Sequence, residues 1–457
     1  MKKLLLRLFC IVLCLISLST VAFAESLTSY QLLIEGTEGY DVFLGKHPTF
    51  KPVYSKAYYP NTAAIASAFL TKEFDSDLFS MSNLFFDSNQ LMSKGYCLDL
   101  SGSTIISETV HKMHPSIRNQ AMHEGRIYAI PDVIMFDLLM IDRNVWQEAG
   151  LPDEIPDTME EFLSFLETWC DWLEENPYSE FRITNMWDAA SYNESSYTEL
   201  LTGWIINNYI MYAQYTGNPL AFDADILQPL LERAMVIGKR LYENEPHIGY
   251  NNENAGRALF VSSYSQMWPQ NADDIVFLRM NEEQPKLINC CLLMTAVSIN
   301  TDHPELCIEL LEDMITHMSG EKRAFLMQEC EPVINASVEN QLNNFEARIS
   351  EIDAQLATDN PNESLCTELE LERTNLLAKC SSLRNSLYIM SEAQIESYQS
   401  FGNTLYIAAP SVFAAGTEDY VILINLQRQF ASGTINVDKF LNELNRMAQM
   451  IQMELGE

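Results

Sequence analysis

The chain has 457 residues, with 63 acidic against 28 basic side chains and a formal net charge of −35. That length exceeds one ordinary core, so two or more lobes are expected, while 47% hydrophobic and 20% charged residues mark a folded chain and not a disordered one. The acidic excess excludes nucleic acid as a partner, because phosphates need Lys and Arg in patches, and argues against an anionic bilayer.

The N-terminus reads MKKLLLRLFCIVLCLISLSTVAFA. Lys2, Lys3 and Arg7 precede an apolar run that ends in Ala22-Phe23-Ala24, a small-x-small cleavage pattern. This predicts a secretory signal peptide over 1–24 and a secreted, extracytoplasmic product at the cell surface or in a periplasm. The alternative is a membrane anchor. It is disfavoured because the uninterrupted run is short for a bilayer span. Cys10 and Cys14 lack small residues before them, so no lipid-anchor cysteine is evident. Cleavage would leave 28 − 3 = 25 basic against 63 acidic residues, about −38.

LTSYQLLIEG (27–36) predicts a first strand and HPTFKPVY a second. NTAAIASAFLTKEF has helical apolar spacing, and DLFSMSNLFF is a bounded apolar run that reads as a strand. Strand and helix in alternation predict a parallel α/β sheet. GRIYAIPDVIMFDLLMIDRNVWQEAGL then sets a puzzle: an apolar strand that carries a Pro and one carboxylate, Asp137. Its end reads as a helix with Gly150 as the stop. Thr158 and Glu161 form a capping box before MEEFLSFLETWCDWLEE, where Trp169 shares a face with Phe162, Phe165 and Leu166. Residues 195–245 read as helical, with an Asp cap before the second helix. ALFVSSYSQMW and INCCLLMTAVSIN read as strands, and HPELCIELLEDMITHM as a helix with Pro in its first turn.

Val338, Leu342, Phe345, Ile349, Ile352 and Leu356 are spaced 4, 3, 4, 3, 4, a heptad-like seam. TDNPNES interrupts it, and Leu365, Leu369, Leu376, Leu383 and Leu387 resume it. Two helices folded back as an antiparallel hairpin are expected over 337–387. The tail reads as two helices around Ser432-Gly433, with Thr434 or Asn436 opening the second.

Sharper chemistry is weak. His111, His114 and His123 read as surface histidines and not as zinc ligands, because neither HExxH nor a Cys pair accompanies them. Asp273-Asp274 and Glu282-Glu283 are chance pairs in so acidic a chain, not glycosidase carboxylates. GxSxG, P-loop and GxGxxG motifs are missing. No metal, cofactor or catalytic residue is therefore expected. Eight cysteines outside the leader read as mostly buried thiols or one incidental bridge. Asn193, Asn335 and Asn362 open sequons.

Several segments taken together resemble the extracellular solute-binding proteins of ABC importers, of the sugar-binding family 1 type. They are Gly125-Arg126-Ile127-Tyr128-Ala129-Ile130-Pro131, Ile141-Asp142-Arg143, Glu148-Ala149-Gly150-Leu151 and PDTMEEFLSFLE, with Met159 where the family has Trp. FLGKHPTFKPVY, FDSDLFSM, SINTDHPELCIELLEDMI and ASGTINVDKFLNELNRMAQ add to them, in the family's order, from about residue 27 to 450. The pattern is specific for the family and silent on the ligand.

The resemblance implies a two-lobed, periplasmic-binding-protein-like type II α/β fold with a helical hairpin insertion. It implies an N-terminal lobe of 25–136 and 287–336, a C-terminal lobe of 137–286 and 388–457, and the inserted hairpin at 337–387. It implies a monomeric, non-catalytic carrier that captures a sugar or oligosaccharide and delivers it to a permease. Strands crossing between lobes explain the puzzle: they are buried along most of their length yet pass the ligand. Met135, four residues after Pro131, takes the family's ligand-contacting position, with Phe136 and Asp137 beside it. Sugars pack their C–H faces on aromatic rings, so Trp268, resembling the family's cleft aromatic, Trp187 in a polar loop, and Trp204 on a helix are candidates. Trp146, Trp169 and Trp172 read as packing. Tyr40, Met81 and Ser82 lie where this fold places cleft loops. The rivals are a secreted interaction protein working through the hairpin and a carbohydrate-active enzyme.

Overall fold

A computed structural model describes residues 25–83, 86–184, 193–217, 219–245, 257–357, 363–384, 386–407 and 418–455. Its strands are β1 (Ser26–Tyr30), β2 (Lys51–Tyr54), β3 (Leu78–Ser82), β4 (Met122–His123), β5 (Arg126–Ile127) and β6 (Ala129–Ile141). They continue as β7 (Phe181–Thr184), β8 (Arg257–Ser265), β9 (Ile288–Val297), β10 (Val333–Ile334), β11 (Tyr388–Met390) and β12 (Leu405–Ile407). Eight of them form one sheet in the order β2-β1-β3-β9-β6-β8-β7, with β12 also paired to β9. The first strand is shorter than 27–36, because Gln31 turns the chain at φ 54°.

The sheet is mixed, not parallel as the alternation suggested. β1 pairs parallel with β2 and β3, and β7 pairs parallel with β8. β6 and β9 run antiparallel to each other, β6 to β8, and β9 to β3. The reason is connectivity. β6 carries the chain out of one group of helices and β9 brings it back, so each meets its neighbours head to tail.

Two buried clusters lie along this sheet. The first joins Leu27, Phe79 and Met81 to Phe136, Leu292, Phe325 and Tyr398. The second joins Ile141, Trp146, Phe162 and Trp169 to Ile206, Leu231, Phe260 and Phe440. Residues 275–278 alternate between them: Ile275 and Phe277 enter the first, Val276 and Leu278 the second. Period-two alternation makes one extended segment the seam between two cores. Met390, Ile395, Tyr398, Leu405 and Ile407 pack in the first cluster. The expectation that placed all of 388–457 in the second lobe is thus corrected for this segment, because β12 adds to β9 and Tyr398 fills the space against Phe325.

Local chemistry sets the helix ends. The Thr158–Glu161 capping box forms, Asp223 caps the helix Ala224–Asn244, and Gly150 (φ 72°) follows the helix Arg143–Glu148. Asn436 Oδ1 accepts the backbone N–H of Lys439 at 3.0 Å, so Asn436 opens the last helix. The hairpin forms from Ala336–Leu356 and Glu363–Arg384, rooted on the two-stranded ribbon β10–β11. Val338, Leu342 and Cys380 make its own small core. Arg348 pairs with Glu372, and Arg373 with Asp353, across the arms.

Candidate functional site

The site begins with a backbone irregularity. Pro131 lies opposite Met294 and Val133 opposite Leu293, so Asp132 is one residue too many and β6 carries a bulge. Pro131 has no N–H to give the ladder, which favours the bulge there. The extra residue reverses the face of everything downstream. Pro131 shares its face with the buried Met81, while Val133, Met135 and Asp137 point to the other face, with Ser82, Cys291 and Asn289. The bulged Asp132 turns aside to Lys322, 2.5 Å away.

Past the bulge the two faces part. Ile134, Phe136 and Leu138 are buried, with Phe136 against Trp268, Phe325 and Tyr398. On the other face a crevice of about 420 Å³ opens. Its floor is Asp137 with its cross-strand partners Tyr264 and Asn289, and Ser262 one step along β8. Asn289 Nδ2 donates to Asp137 Oδ2 at 3.0 Å.

One wall is the helix Ser196–Tyr215, which presents Trp204, Asn207, Asn208 and Met211 at steps of three, one and three residues. Its opposite side is buried through Thr202, Ile206 and Ile210. Gly238 lets the helix Ala224–Asn244 approach closely, since a Cβ there would stand 2.3 Å from Thr198 Oγ1. The Tyr197 hydroxyl donates to the buried Glu245, which also accepts the Ile183 N–H at 2.7 Å. The far end of the wall is tied by the Tyr212 hydroxyl to the Pro285 carbonyl at 2.9 Å and by the Tyr406 hydroxyl to Gln214. The other wall is Ile275–Leu278 with Leu287, so the crevice lies on the seam between the two cores.

The electrostatics follow from enclosure. Apolar neighbours withdraw water from the Asp137 carboxyl and raise it above its ordinary value, and the Asn289 bond pulls back against this. Burial, with Cys291 and Asp137 nearby, pushes the Tyr264 phenol up. Glu245, behind the wall, is raised by burial to about 7. Aromatic rings beside amides, hydroxyls and one carboxylate suit a polyhydroxylated ligand, whose C–H faces pack on rings while its hydroxyls bond.

Of the residues singled out in the sequence, the structure brings Asp137 and Trp204 together at this crevice. Met135 is half-buried on the same face of β6, and Ser82 is buried beside Cys291 at 3.5 Å. Tyr40 is half-buried against Phe50 in the first cluster. Trp268 is corrected: it is 4% exposed and packs on Phe136, Tyr398 and Phe401. Phe136 and Met81 are likewise core residues, because the alternation puts them on the packed face. Trp187 lies outside the described residues. Tyr264, 53% exposed, takes the place expected of Trp268. Alternation along VSSYS marks Ser262 and Tyr264 as one face, and Asn207 and Asn208 fall one helical turn after Trp204; both signals were readable.

Elsewhere, His114 is buried against Tyr398 and not on the surface, and burial lowers its imidazole to about 4. Among the described residues the eight cysteines are free thiols, no acidic, His and Cys side chains cluster to hold a metal, and no helix is long and apolar enough to cross a membrane.

No protein-family model and no curated protein matches the chain. Many solved structures do. The cyclic α-maltosyl-1,6-maltose binding protein from Arthrobacter globiformis is 12% identical, with 93% of this chain and 98% of that one covered at a TM-score of 0.51. The galacto-N-biose/lacto-N-biose I-binding protein of the ABC transporter from Bifidobacterium longum, solved with lacto-N-biose, is 10% identical, covering 94% and 98% at 0.50. A family 1 extracellular solute-binding protein from Bifidobacterium longum subsp. infantis is 14% identical, covering 93% and 99% at 0.48. This chain therefore has the two-lobed α/β fold of periplasmic-binding-protein type in which such extracellular solute-binding proteins are built.

Proposed function

We propose that this chain is the extracytoplasmic solute-binding component of an ABC importer, capturing a sugar or oligosaccharide and handing it, unaltered, to a permease. The observation that carries this reading is the crevice itself. It sits on the seam between two cores, beside strands that cross from one to the other, and sets Trp204 and Tyr264 against amides and a carboxylate. A ligand seated there touches both sides only when they close, so closure and affinity are coupled. The chain would be exported by its N-terminal segment and act as a monomer.

Native mass spectrometry of the purified chain tests the reading, since a co-purified saccharide adds its own mass. Calorimetry with a glycan panel is expected to give nanomolar-to-micromolar binding without new reducing ends. Product formation, or silence across the panel, overturns it.

A second reading has one observation behind it. The hairpin arms pack on each other, and their outward residues are exposed along both helices. A protein that binds a partner through this arm would lose that partner on deletion of 337–387 while keeping its melting temperature.

A further inference from the structure

The crevice is charged in one sense only. Among its described lining residues the single carboxylate is Asp137, and none is Lys, Arg or His. The carboxylate is held in place: its strand is paired on both sides, and Oδ2 takes the Asn289 amide at 3.0 Å. That bond uses one of the two N–H groups of Asn289. Asn208 Nδ2 likewise gives one N–H to the Trp204 carbonyl at 2.9 Å. What these side chains still offer is an acceptor oxygen and one N–H each. Leu139, Leu278 and Leu287 line the same crevice, and Asp137 itself is exposed, so a ligand cation reaches the carboxylate directly. At long range a chain of net charge −35 draws cations and repels anions.

We propose, resting on the carrier reading above, that the crevice prefers an amine-bearing, cationic saccharide, an amino sugar or its short oligomer, and that Asp137 is the specificity-determining residue. The ammonium pairs with the open side of the Asp137 carboxylate while the sugar face packs on Trp204. Anionic sugars are refused, since they would meet this carboxylate with no lining cation to answer them.

Three matched trisaccharides test this by calorimetry on the full chain: β-1,4-linked glucosamine, its N-acetylated form and an oligogalacturonate. The amine form is expected to bind about ten-fold tighter than the acetylated form, with no heat from the uronate. The preference should shrink in 0.5 M salt (roughly a 4 Å screening length) and vanish in Asp137→Asn. A circular-dichroism melt matching wild type shows that the variant folds, and the salt series on the unmodified chain is independent of it. Equal or tighter binding of the acetylated form, binding of the uronate, or a preference that survives Asp137→Asn overturns the proposal. Neutral sugars bound without amine preference sink this inference alone. Silence with every probe and the wider panel sinks the carrier reading and this inference with it.

Discussion

The two faces of β6 differ as sharply as two regions of one molecule can. On one, Phe136 is fully buried among Trp268, Phe325 and Tyr398. On the other, one residue along, Asp137 meets the crevice. A strand that joins two lobes thus packs on one side and is left open on the other, and the bulge at Asp132 decides which is which. The contrast also separates two kinds of aromatic. Trp268 is large and packed; Tyr264 is smaller, half exposed, and placed beside the carboxylate.

The largest test of that contrast is Phe136→Ala, expected to cost about 3–5 kcal/mol in denaturant unfolding through the cavity it leaves. Met135→Ala, on the open face, should cost clearly less; equal losses would erase the distinction between faces. Next comes the support behind the wall helix. Glu245 is raised to about 7 from 4.5, so the native state holds its proton more tightly than the unfolded chain does. Stability from this group therefore falls as pH rises from about 4.5 to 7 and is level above. Glu245→Gln removes that decline, so its stability relative to wild type should rise across the window by up to about 3 kcal/mol. A parallel pH profile for both proteins would refute the buried carboxyl.

Gly238→Ala presses a methyl group into Thr198 and is expected to destabilise by about 1–3 kcal/mol. Because it displaces the wall, ligand affinity should weaken with it; a stability loss with unchanged affinity would detach the wall from the site. The smallest effect belongs to Trp204→Ala. It is expected to weaken saccharide binding roughly ten-fold, about 1.4 kcal/mol, with some loss of melting temperature because the ring also packs on Phe162 at the edge of the second core. Unchanged affinity in a variant that still folds would make Trp204 a core residue alone.

Much of the fold could be read from local pattern. The capping box at Thr158, the Asp223 cap, the apolar run of β6 and the hairpin seam from Val338 all depend on residues a few positions apart. The site was legible only in part. Asp137 stood out as a carboxylate in an apolar strand, and Trp204 as a candidate on its helix. Trp268 misled, because its exposure depends on Phe136, Tyr398 and Phe401, which are more than a hundred positions away.

By itself the sequence determined the type and approximate place of many elements, the caps at Thr158 and Asp223, and the acidic character of the chain. Periodicity, caps and composition act over a turn or a strand, so they are written locally. The tertiary structure decided which face of β6 is open, which aromatic meets the crevice, and that 388–407 joins the first core. Those outcomes turn on the register of β6 against β9 and on what packs from afar. A one-residue bulge reverses a face without changing any local preference.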